Sequence, residues 1–86
     1  MNRTIWKYRL DMMDTQNVLI PKEAELLSAQ MQGDDLMLWA LVNPDEPKRV
    51  RTIEIIGTGN PCANVKRKHI STAQMGALVW HVFERD

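Results

Sequence analysis

Lys22-Glu-Ala-Glu-Leu-Leu-Ser-Ala-Gln-Met-Gln32 decides the fold, because it carries marks of both a helix and a strand. It is rich in helix formers, follows Pro21 and stops at Gly33, as a capped helix does. Against this, Leu27, Ala29 and Met31 alternate with Ser28, Gln30 and Gln32 at the two-residue period of a strand. Gly33-Asp-Asp35 then leads straight into an apolar run, as a hairpin loop does. The strand reading is preferred.

The neighbours on both sides are extended too. Leu36-Met-Leu-Trp-Ala-Leu-Val42 reads as the central strand, and Gly76-Ala-Leu-Val-Trp-His-Val-Phe-Glu-Arg-Asp86 as a closing strand built into the core. Thr4–Leu10 alternates, with Trp6, Tyr8 and Leu10 on one face and Lys7 and Arg9 on the other. Asp14–Asn17 reads as a turn, and Val18–Pro21 as a brief strand whose proline suits an edge or an end. Asn43–Arg49 is a loop, Val50–Ile56 a strand with Ile53 and Ile55 on one face, Gly57–Pro61 a break, and Lys66–Met75 a penultimate strand. No long helical pattern separates these segments, so parallel crossovers are not expected. The expected fold is all-β, a small antiparallel barrel or sandwich of six to seven strands with meander-like connections, forming a single domain over residues 1–86.

Composition bounds the function. A chain of 86 residues has room for one core, and its thin stability margin makes pairing with a copy an expectation. Eleven basic residues balance eleven acidic ones, which argues against a dedicated nucleic-acid binder. One cysteine, Cys62, excludes an internal disulfide and fits a reducing cytoplasm. No apolar stretch approaches the roughly 20 residues of a spanning helix, so no membrane association is expected.

The strings Thr4-Ile-Trp-Lys-Tyr8, Leu38-Trp-Ala-Leu-Val42-Asn-Pro44, Gly57-Thr-Gly59 and Gly76-Ala-Leu-Val-Trp-His-Val-Phe-Glu84 resemble, nearly end to end, a family of small phage and prophage proteins known as a domain of unknown function. The resemblance implies a viral or mobile-element origin and transfers no catalytic residue. This chain departs from the family pattern at Arg9, where proline is expected, and at His69-Ile-Ser-Thr-Ala73, where a Tyr-Ile-Gly-Thr-aromatic phrase is expected.

Few residues invite chemistry. Gly57-Thr58-Gly59 suggests a phosphate loop but lacks GxGxxG spacing and a following helix, so a strand-ending turn is the plainer reading. Lys48, Arg49 and Arg51, with Lys66, Arg67 and Lys68, would form one basic patch if their strands paired, although a solvated strand face and loop is the plainer reading. His69, His81 and Cys62 match no metal-ligand spacing, so no metal or other cofactor is expected. His81 alternates with Val79 and Phe83 as a hydrogen-bonded, partly buried residue. Of the tryptophans Trp6, Trp39 and Trp80, two suit the core, and Trp6, on an edge strand, is expected to face a partner together with Tyr8.

These readings predict a non-enzymatic binding protein of the host cytoplasm that engages a host protein, as a modulator or counter-defence factor. The alternative is a dimeric domain that sequesters a phosphorylated nucleotide with Arg49, Arg51, Gly57, Thr58, Gly59, Arg67 and Lys68.

Overall fold

A computed structural model describes residues 2–86. Seven strands follow in chain order: β1 (Thr4–Leu10), β2 (Thr15–Pro21), β3 (Glu25–Gln32), β4 (Asp35–Val42), β5 (Lys48–Gly57), β6 (Arg67–Met75) and β7 (Leu78–Arg85). The ambiguous segment is therefore a strand, and Gly33, at φ +62°, makes the tight turn into β4 that an L-residue resists. Its alternation is interrupted, however. Between Leu26 and Ser28 the register against β4 slips by one, and Leu27 is the extra residue of a bulge. Leu26, Ala29 and Met31 thus reach the core, whereas Leu27, expected on one face with Ala29 and Met31, is left exposed.

β2 also begins earlier than its apolar residues indicate. The turn expected at Asp14–Asn17 lies ahead of Thr15, for two reasons. The Gln16 side chain accepts from the Asp11 amide at 2.9 Å and donates to the Asp11 carbonyl at 2.7 Å. The Ile55 amide donates to the Asp14 carbonyl at 2.9 Å, so the chain joins β5 at once.

The strands form two sheets, β1-β4-β3 and β2-β5-β7-β6, in which every pairing is antiparallel. The hairpins β3–β4 and β6–β7 each stay within one sheet, while β1–β2, β2–β3 and β4–β5 cross between them. The result is a sandwich rather than a closed barrel, and its shortest Cα extent of 16 Å suits two stacked layers. Leu10, Ala29, Leu36, Leu38, Ala40 and Val42 of one sheet meet Ile20, Ile53, Ile55, Ala73 and Val82 of the other.

The two margins of the sandwich differ. On one side β3 and β6 lie together without a backbone ladder, and Gln30 Nε2 donates to the Ser71 hydroxyl at 2.9 Å across the seam. On the other, no hydrogen bond joins β1 to β2 among the described residues.

Candidate functional site

β4 is apolar at every position from Leu36 to Val42, so its alternation fills two faces at once. Leu36, Leu38, Ala40 and Val42 are buried between the sheets, which turns Met37, Trp39 and Leu41 onto the outer face of the three-stranded sheet. β1 sets Ile5 beside Leu41 and Lys7 beside Trp39, and β3 sets Ser28 against Trp39 from the other side. Ile5 is 57% exposed, bulged Leu27 lies open nearby, and among the described residues no strand stacks on this face. Its rim is polar. Lys7 Nζ reaches across the sheet to donate to Gln32 Oε1 at 2.7 Å, and Arg9 lies 3.6 Å from Asp11 and 3.8 Å from Asp35. An apolar strip centred on a tryptophan and bounded by tethered charges has the anatomy of a protein-binding surface.

This arrangement corrects the expectation for Trp6. β1 is an edge strand, but Trp6 shares a face with Tyr8 and Leu10, and that face points between the sheets. Trp6, Tyr8 and Trp80 pack against the core, and Trp39 is the tryptophan turned away from it. The Tyr8 hydroxyl is occluded without a hydrogen-bond partner among the described residues, and burial raises its pKa. The sequence offered no signal for Trp39, because a strand apolar at consecutive positions has no polar row to mark its outside.

The residues expected to hold a phosphate are not gathered in one place. β7 lies between β5 and β6, which separates the two basic clusters. Arg51 and Lys68 do line one cleft of about 340 Å³ at the end of the sandwich, but Glu23, Glu25 and Glu84 line it as well. Arg51 is committed there. Its Nη2 donates to Glu84 Oε1 at 2.9 Å, its Nε bonds Glu84 Oε2, and its Nη1 donates to the Ala24 carbonyl at 3.0 Å. The Glu84 hydrogen bonds raise the Arg51 pKa further and keep the guanidinium charged. Arg49 lines a neighbouring cleft with Lys22. Arg67 bonds Glu54 at 2.5 Å and lies 5.6 Å from the Phe83 ring centroid. Phe83 pairs with Glu54 and His69 on the outer side of the four-stranded sheet, so Arg67 does not share the Arg51 cleft.

Gly57, Thr58 and Gly59 stand at the opposite end of β5, roughly 20 Å from Arg51 along the strand. Gly59 adopts φ +87°, and the Asn60 amide closes the turn onto the Gly57 carbonyl at 3.0 Å, so this is the strand-ending turn. Gly57 is needed for a different reason, since a Cβ there would lie 3.0 Å from the Trp80 ring. Beside the turn runs a chain of polar contacts. Thr58 Oγ1 meets His81 Nε2 at 2.7 Å, His81 Nδ1 meets Thr72 Oγ1 at 3.2 Å, and Thr72 Oγ1 meets His69 Nε2 at 3.0 Å. His81 is thus hydrogen-bonded through both ring nitrogens, and the hydroxyls, not a carboxylate, orient it. Cys62 is exposed, and among the described residues no three histidine, cysteine or acidic side chains converge as metal ligands.

A family model described as "Domain of unknown function (DUF7352)" matches residues 1–86. No curated protein and no solved structure matches the chain.

Proposed function

The chain belongs to the DUF7352 family, and we propose that it acts without catalysis, by binding a protein partner through the outer face of its three-stranded sheet. The observation that carries this reading is Trp39, placed at the centre of the Met37-Trp39-Leu41 row and turned away from the core. A small domain with few large side chains to spare keeps this one out of its interior, and tryptophan is the residue most enriched at binding hot spots. The resemblance to small phage and prophage proteins supports a host protein as the partner and the host cytoplasm as the place of action. Sequestration of a nucleotide has less support, because Arg51 and Arg67 are already paired with Glu84 and Glu54, and the Gly57–Gly59 turn lies roughly 20 Å from Arg51 along β5.

Photo-crosslinking tests the face directly. A photoreactive phenylalanine analogue at Leu41, on the outer face beside Trp39, is expected to give a discrete covalent adduct with one host protein. The same analogue at Leu19, exposed on the other sheet, is expected to give none with that protein. Equal adducts from both positions would refute the assignment.

A further inference from the structure

The two sheets have four outer strands, and these are guarded unequally. β3 and β6 lie against each other, and each carries a bulge, between Leu26 and Ser28 and between His69 and Ser71. β1 is open, but its ionisable side chains, apart from Tyr8, are Lys7 and Arg9, with no acid among them. β2 has neither kind of protection. Thr15-Gln-Asn-Val-Leu-Ile-Pro21 contains no ionisable side chain and runs in unbroken register against β5, with only the proline at its end. Natural sheets blunt such edges with charge, bulges or cover, so a regular neutral edge marks a strand that is paired in use.

We propose that β2 is the contact strand of a symmetric homodimer, pairing antiparallel with β2 of a second copy so that the two four-stranded sheets run on as one. A second copy is the occupant because β2 complements itself. Pairing about a two-fold axis sets residues of the same face opposite one another. Centred on Leu19, it places Leu19 against its counterpart on the outer face, and Val18 against Ile20 on the inner face, where Ile20 is fully buried and Val18 packs on the core. Both rows of the sandwich then continue across the junction. Leu19 is 57% exposed, and contact with its counterpart at the axis covers part of it. No like charges meet. The equivalent pairing of β1 would bring Lys7 and Arg9 toward their copies with no carboxylate on the strand to offset them. Burial at this edge also adds to the small core that an 86-residue chain provides. The inference is independent of the Trp39 face, which lies on the other sheet.

Sedimentation velocity over a concentration series tests it, with wild type, Leu19→Lys and Asn17→Lys compared and folding checked by circular dichroism. Both side chains are exposed on the outer face, so the variants are expected to fold. Wild type is expected to sediment as a dimer at micromolar concentration, and Leu19→Lys to raise the dissociation constant by about tenfold or more, since it sets like charges directly opposite each other at the axis, with Asn17→Lys, which stands opposite Pro21 of the second copy, raising it less. Should one variant fail to fold, the other carries the comparison. Wild type that stays monomeric at millimolar concentration would overturn the proposal. So would a dimer that neither lysine weakens, or one that Trp39→Ser dissociates instead.

Discussion

Arg51 on β5 grips Glu84 on β7 with a two-pronged ion pair, while its remaining nitrogen holds the Ala24 carbonyl in the crossover from β2 to β3. One guanidinium thereby ties two strands of one sheet to the segment that leads into the other. Both side chains are about one-fifth exposed, at 21% and 20%, so solvent screens the pair only partly. An ammonium cannot reproduce the fork. Arg51→Lys is therefore expected to lower stability by about 1–2 kcal/mol, read from the urea midpoint. An unchanged midpoint would show that the contact is not part of the fold's support.

Tyr8 offers a test with the opposite sign. Its hydroxyl is occluded and has no hydrogen-bond partner among the described residues, so Tyr8→Phe is expected to leave stability unchanged or raise it by about 1 kcal/mol. Burial also raises the phenol pKa above its ordinary 10.0. A raised pKa means that the contribution of the neutral phenol is fully present below pH 10 and is lost as the pH climbs through and past that value, where the unfolded chain ionises first. Wild type should lose stability there, and Tyr8→Phe should lose less. Parallel alkaline profiles for the two proteins would contradict this.

The two glycines of the β5 turn should respond for different reasons. At Gly57 a methyl group would meet Asn60 Nδ2 at 2.8 Å and the Trp80 ring at 3.0 Å. The Asn60 amide can swing away, but the ring is held against the core, so Gly57→Ala is expected to cost about 1–3 kcal/mol. At Gly59 the space is open and only the positive φ resists, which puts Gly59→Ala near 1 kcal/mol. Thermal melts that rank Gly59→Ala as the costlier change would count against the close packing of Trp80 on Gly57.

The tryptophans separate folding from binding. Trp6 packs on the core from an edge strand, so Trp6→Ala is expected to cost about 2 kcal/mol or more. Trp39→Ser removes a side chain outside the core and should cost less than half as much, measured by the same denaturant titration. Equal losses would mean that Trp39 serves the fold as much as Trp6 does.

Much of this architecture was legible in the sequence, and the gaps have physical causes. Alternation in Thr4–Leu10 and in Val50–Ile56 marks the buried faces correctly, since polar residues there label the outside. Gly33 and Gly76 sit at positive φ, where hairpin turns require them. Leu27 was misplaced because a bulge adds one residue to one strand alone, and no pattern within that strand announces it. Trp39 was missed because β4 is apolar on both faces. The separation of the basic clusters was hidden because strand order depends on pairing between distant segments. β7, last in the chain, enters the sheet between β5 and β6.

The measurement that bears most directly on the account is quantitative affinity capture from host cells with wild type, Trp39→Ser and Arg49→Glu, each verified as folded. The account predicts one host protein recovered in near-stoichiometric amount by wild type and by Arg49→Glu, and lost with Trp39→Ser. Retention of that protein by Trp39→Ser together with its loss from Arg49→Glu would contradict the account and move the binding site to the basic end of the sandwich.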